Sequence, residues 1–130
     1  MPIIMKVSRG EIKELSVYGD DYPTPDGSGI RDYIHVVDLA KGHVAAIDRM
    51  KPGVLIYNLG TGKGTSVFEM IEAFDKASGK KLPYKVVGRR AGDLAEMYAD
   101  PSKAEKELGW KTELTVEDAM RDTMSYLNNL

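Results

Sequence analysis

Gly19 to Gly29 holds three glycines and two prolines. That density of residues with special backbone demands rules out a helix or a paired strand through the segment. It must be loop, and a loop that long in a compact domain is usually functional or mobile. It leads into Asp26-Gly-Ser-Gly-Ile-Arg-Asp-Tyr-Ile-His-Val-Val-Asp-Leu-Ala40, which reads as a glycine-rich turn, a short strand and the start of a helix. Gly27 and Gly29 can take positive φ and let the backbone approach a ligand closely. Tyr33, Ile34 and Val36 favour a strand, which would place Arg31 and Tyr33 on one face. An arginine and a phenol so placed can grip a phosphate and a sugar. Spacing alone goes no further, because Arg-x-Tyr is common on exposed strands.

The rest of the chain can be placed around this stretch. Ile3, Ile4 and Val7 are spaced like the end of an amphipathic helix stopped by Gly10, and Glu14 to Tyr18 alternates as a short strand. Val36 to about Met50 carries a helical apolar stripe with Asp38 in its first turn, where the macrodipole favours an acid. Pro52-Gly53 ends it, and Val54 to Tyr57 is an apolar run of the kind found in a strand buried on both faces. Asn58 to Thr65 resembles a phosphate loop only superficially. Lys63 is followed by Gly64 rather than Ser or Thr, so the segment reads as a turn.

Ser66 with Glu69 forms a capping box for a helix packed through Val67, Met70, Ile71, Phe74 and Ala77 and closed by Gly79. Tyr84 to Val87 is a strand candidate leading into Arg89-Arg90, and paired arginines usually mark a solvated turn. Asp100-Pro101 would cap and start a helix to Leu108, and Thr115 with Asp118 opens a last one. Trp110 is expected to pack between those two helices.

With 130 residues the chain suits one domain. Its net charge of -2 supplies no field for nucleic acid or an anionic membrane, and no 18-residue apolar run is present. These features lead us to expect a cytoplasmic protein with neither partner. The lack of cysteine excludes disulfides and thiolate metal sites. His35 and His43 are too far apart in sequence to share one helical turn as zinc ligands, and no nucleophile elbow occurs, so neither a metal site nor hydrolase chemistry is expected.

Several motifs together are more specific. Val17-Tyr-Gly-Asp-Asp-Tyr-Pro-Thr-Pro-Asp26 runs into Arg31-Asp-Tyr33, and is followed by Tyr57-Asn-Leu-Gly-Thr-Gly62, Arg89-Arg-Ala-Gly-Asp93 and Tyr98-Ala-Asp-Pro-Ser-Lys103. Over nearly its whole length the chain resembles the carboxyl-terminal part of the UDP-glucose 4-epimerases of the extended short-chain dehydrogenase family. The resemblance implies an α/β fold, residues 1–130 being one UDP-sugar-binding domain with short strands, about four helices and no Rossmann core. It implies that Arg31 and Arg90 hold a diphosphate, that Asp93 meets a ribose hydroxyl and that Tyr18 lies along the uracil. Ser16 would contribute backbone, Tyr33 would line the pocket and Met97 would face the sugar, its size bearing on N-acetylated sugars.

The family's chemistry is transient oxidation at the sugar's C4 by bound NAD, interconverting UDP-glucose and UDP-galactose, with a Tyr-x-x-x-Lys pair handling the proton. Neither that pair nor the glycine-rich NAD fingerprint is found, so no catalytic or cofactor-binding residue is assigned and the NAD is expected on a separate amino-terminal domain. Alternatives are a sister nucleotide-sugar dehydratase or decarboxylase, which Asp21 to Asp26 disfavours, or a complete, non-catalytic nucleotide-sugar-binding module. Without the cofactor domain, Val36 to Met50 and Val54 to Tyr57 would lack their cover, and self-association is expected.

Overall fold

The computed structural model describes residues 1–130. Its helices are α1 (Pro2–Ser8), α2 (Val36–Asp48), α3 (Val67–Ser78), α4 (Ser102–Leu108) and α5 (Val116–Asn128). Its strands are β1 (Leu15–Tyr18), β2 (Ile30–Arg31), β3 (Thr65–Ser66), β4 (Tyr84–Val87) and β5 (Glu96–Met97).

The main core forms around α3. Its apolar stripe buries Met70, Ile71, Ala73 and Phe74 against Leu15 and Val17 of β1, Ile4, Met5 and Val7 of α1, Leu82 and the fully buried Met120 of α5, while Ala77, expected in the stripe, is exposed. The helix begins where Ser66 accepts the Glu69 N–H at 3.1 Å, and it ends at Gly79, left-handed at φ 68°. The α5 start is a complete capping box between Thr115 and Asp118.

β1 pairs in parallel with β4, from Leu15 opposite Tyr84 to Tyr18 opposite Val87. This register delivers the loop after Tyr18 and the loop after Val87 to the same end of the pair. A second sheet has β2 in the middle, antiparallel to β3 and parallel to β5, so that Arg31 lies opposite Met97. The turn before β2 requires glycine at position 27. At φ 82°, an added Cβ would come within 1.8 Å of the Asp20 carbonyl oxygen.

Asp26 fastens this turn to α3. Its carboxylate accepts from the Ser28 N–H at 2.9 Å, from the Ser28 hydroxyl at 2.7 Å and from the Ser66 hydroxyl. Burial works to raise the Asp26 pKa, but the Ser66 and Ser28 hydrogen bonds together hold it below the usual carboxylate range.

Four further expectations need correction. Val54 to Tyr57 is neither a strand nor buried: Val54 is 88% and Ile56 71% exposed. A strand exists only by pairing, and nothing in this chain offers that run a ladder; Lys103 Nζ donates to the Ile56 carbonyl at 2.9 Å instead. The expected strand through Tyr33 and Val36 is confined to Ile30–Arg31, because Val36 opens α2 behind the His35 cap. The N-cap of α4 is Pro101, and Asp100 reaches past it to take the Ser102 N–H at 3.0 Å.

Trp110, finally, packs with Ala104 and Leu108 of α4 against Ala45 and Ala46 of α2, not between α4 and α5. Its indole N–H donates to the Asp38 carbonyl at 2.9 Å, and Gly42 leaves room for the ring. Asp38 does more than complement the helix dipole. It is completely buried, and one carboxylate oxygen accepts from the Glu113 and Leu114 N–H groups at 3.1 and 2.9 Å.

Candidate functional site

The parallel β1–β4 pair and the neighbouring β2 strand enclose a cleft of about 140 Å³. It is lined by Ser16, Tyr18, Arg31, Tyr33, Arg90 and Asp93, together with Tyr22, Gly29, Val67 and Leu94. Six of the seven residues expected at a site are therefore brought together from three separate segments. The seventh, Met97, stands on β5 beside Arg31, 56% exposed and outside the lining. Two-residue pairing fixes the backbone of Met97 next to Arg31 without turning its side chain into the cleft.

Within the cleft the charged groups hold one another. Arg90 donates two hydrogen bonds to the Asp93 carboxylate, at 3.0 and 3.3 Å. Its guanidinium lies 4.8 Å from the centre of the Tyr18 ring. The Asp93 hydrogen bonds and charge, chiefly, raise the Arg90 pKa above its already high ordinary value. Arg31 folds back to donate to the Ile30 carbonyl at 2.7 Å. Burial pushes the Tyr33 phenol up, while Arg31 nearby pulls it down less strongly. Two guanidinium groups, one aromatic face and one carboxylate thus share a small cavity. That set matches a diphosphate, a planar base and a hydroxyl-bearing sugar in chemistry.

A larger cleft, about 570 Å³, lies elsewhere, between α3 and the segment before α5. Glu69, Glu72, Glu113 and Glu117 line it, outnumbering its two lysines, Lys63 and Lys76. Carboxylates in that number repel a polyanion, and the smaller arginine cleft is the better candidate.

Asp32, between Arg31 and Tyr33, supplies the anchor that the sequence reading missed. Its carboxylate accepts from the Thr61 N–H at 3.0 Å, the Thr61 hydroxyl at 2.6 Å, the Gly62 N–H at 3.2 Å and the Ala99 N–H at 3.3 Å. Gly60 sits so close beneath it that an added Cβ would lie 2.6 Å from the Asp32 carboxylate. The available signal was alternation: an acid between two cleft residues must face the opposite way, toward the protein.

The family model described as GDP-mannose 4,6 dehydratase matches residues 1–123. The chain belongs to the GDP-mannose 4,6-dehydratase family. Within it, the chain is 61% identical over 126 residues to a UDP-glucose 4-epimerase of Bifidobacterium longum, covering 96% of this chain and 37% of that protein. It is 56% identical over 124 residues to the human UDP-glucose 4-epimerase, covering 94% of this chain and 36% of the human one. The crystal structure of the Bifidobacterium longum enzyme in complex with NAD+ and UDP superimposes with a TM-score of 0.93 at 59% identity, over 98% of this chain and 38% of that one. This member of the dehydratase family thus spans little more than a third of the length of these relatives. Its fold is the α/β carboxyl-terminal part of the extended short-chain dehydrogenase fold.

The chain's own residues do not fit a dinucleotide. The glycine-rich loop Asn58 to Thr65, which leads into β3, directs the Thr61 and Gly62 N–H groups inward to Asp32. Those are the donors a pyrophosphate would need. No step of the chemistry is therefore assigned to a cofactor held by this family member's chain.

Proposed function

We propose that the chain is the UDP-sugar-holding part of a UDP-glucose 4-epimerase, an enzyme that in complete form interconverts UDP-glucose and UDP-galactose by transient oxidation at C4 with NAD. The observation that carries this reading is the convergence of Tyr18, Arg31, Arg90 and Asp93 on one cleft. Arg31 and Arg90 hold the diphosphate, Asp93 accepts from a ribose hydroxyl, Tyr18 lies along the uracil, and Ser16 and Tyr33 complete the walls. These residues bind and orient, whereas the hydride and proton transfers belong to groups that this chain does not supply. Met97, exposed on β5 beside Arg31 at the margin of the cleft, faces the sugar, and its size bears on N-acetylated sugars.

Calorimetric titration with UDP tests the proposal. Saturable one-to-one binding by the unaltered chain, weakened by loss of either arginine, is the expected result. No heat of binding at millimolar UDP overturns it.

Binding entails a change of partners. Arg90 now lies over the Tyr18 face and is paired with Asp93. A nucleotide takes over the aromatic face, gives Arg90 a phosphate partner and frees Asp93 for the ribose. The cost of breaking the internal pair is modest because both groups are partly solvated.

We further propose that the isolated chain pairs with a second copy, in a cell compartment read as cytoplasmic and away from membranes. No helix is long and apolar enough to cross a membrane. Ile47 and Met50 on α2 and just after it are 64% and 74% exposed, and Val54 and Ile56 are exposed on the following segment. An amino-terminal cofactor domain is their expected cover in the complete enzyme, and a second copy is the substitute available to this chain. Light scattering is expected to give a dimer at tens of micromolar; a monomer at high micromolar concentration contradicts the pairing.

A further inference from the structure

Tyr22 is more than nine-tenths buried in the loop between β1 and β2, with 8% of its surface exposed. Its backbone is pinned by a hydrogen bond from its N–H to the Gly27 carbonyl at 2.9 Å. Gly19, at φ 93°, makes room on one side: a Cβ there would meet the ring at 3.1 Å. The Arg89 guanidinium lies 4.2 Å from the ring centre, held by hydrogen bonds to the Asp21 carboxylate at 2.8 Å and the Asp21 carbonyl at 2.6 Å. The ring is therefore held in place by its neighbours.

The hydroxyl is not. It is enclosed and makes no hydrogen bond to any protein group. Buried phenols ordinarily find a partner, and leaving one without costs stability. Tyr22 also lines the cleft that holds Arg31 and Arg90. With no protein acceptor for it, the hydroxyl proton is left to be donated to an acceptor in the cleft, once Arg90 leaves the Tyr18 face to meet a phosphate. The acceptor suited to two cations and a neutral donor is an anionic phosphoryl oxygen.

We propose that the Tyr22 hydroxyl is a further ligand-binding group, donating a hydrogen bond to a phosphate oxygen of the nucleoside diphosphate held by Arg31 and Arg90. This rests on the nucleotide-binding reading above. It makes the Tyr22 loop part of the grip, and it explains why a residue with no use for its hydroxyl in the fold is tyrosine rather than phenylalanine.

Tyr22→Phe removes only the hydroxyl and keeps the ring under Arg89. Three measurements on the full chain decide the matter. In calorimetry, Tyr22→Phe is expected to weaken UDP binding about 10- to 100-fold. In chemical-shift titration, its affinity for uridine, which lacks phosphate, is expected to be unchanged. In thermal unfolding without nucleotide, the variant is expected to melt about 2 to 5 °C higher, because an unpaired buried hydroxyl has been removed. Equal UDP affinity in Tyr22→Phe and the unaltered chain, with Arg31→Ala still weakened, overturns the role of Tyr22 and leaves the nucleotide site standing. Equal weakening toward UDP and uridine overturns the phosphate assignment. A lower melting point overturns the proposal by showing that the hydroxyl serves the fold. Failure of the unaltered chain to bind UDP overturns the nucleotide reading and this proposal together, whereas the other outcomes separate them.

Discussion

Asp32→Ala is expected to lower the midpoint of thermal unfolding by about 10 to 20 °C, from a loss of roughly 3 to 5 kcal/mol. The carboxylate receives the Thr61 N–H and hydroxyl, the Gly62 N–H and the Ala99 N–H. Each is a charge-assisted bond, and several of the donors are half-buried, so that removing the acceptor strands them. The lost volume matters less, since Asp32 is small and packed against Gly60. An asparagine side chain would keep one acceptor oxygen and place an amide against N–H donors, so Asp32→Asn should recover only part of the loss. A further consequence is functional: Arg31 and Tyr33 flank the anchor, and their aim into the cleft depends on it. Differential scanning calorimetry on the two variants tests the claim, and a shift below about 3 °C for Asp32→Ala contradicts it.

Asp93→Ala should move two affinities in opposite directions. Arg90 is held by Asp93 through a bidentate pair. A pyrophosphate needs only the guanidinium, so freeing Arg90 should tighten pyrophosphate binding about 2- to 5-fold, in keeping with the small worth of an exposed ion pair. UDP in addition offers a ribose hydroxyl to Asp93, and loss of that acceptor should weaken UDP about 10-fold or more. Arg90→Ala removes the phosphate partner itself, and both ligands should weaken by about 10- to 100-fold. Competition calorimetry with the two ligands reads all four values. If Asp93→Ala weakens pyrophosphate as much as UDP, the carboxylate orients Arg90 rather than restraining it, and the exchange of partners is wrong.

Local pattern made much of this fold readable. The stripe of α3 with Ser66 before it and Gly79 after it, and the Thr115–Asp118 box of α5, are encoded within a few residues of where they act. So are the short strands β1 and β4. The cleft residues came from motifs rather than from periodicity, because Tyr18, Arg31 and Arg90 meet only through strand pairing that no local pattern states.

The misreadings share one cause, a role fixed by a distant partner. Asp38 is in the first turn of α2 as read, but what the pattern left out is that its buried carboxylate accepts from the Glu113 and Leu114 N–H groups far along the chain. Trp110 found α2 because Gly42 leaves space there, which a hydrophobic count cannot register. The Val54 to Tyr57 run carries the apolar content of a buried strand, but content specifies only that a partner is wanted. Its identity lies in the other strand of the ladder.

The parallel pairing of β1 with β4 has a kinetic consequence. Leu15 meets Tyr84 only after the whole intervening chain, including α2 and α3, has been gathered up. Such a non-local closure carries a high loop entropy and is made late, so the end of the pair where Tyr18 and Arg90 face each other is among the last parts to assemble. If the chain holds UDP as proposed, nucleotide capture reports completed folding, and in a refolding time course the binding signal should rise with the slowest phase, after helical ellipticity has returned.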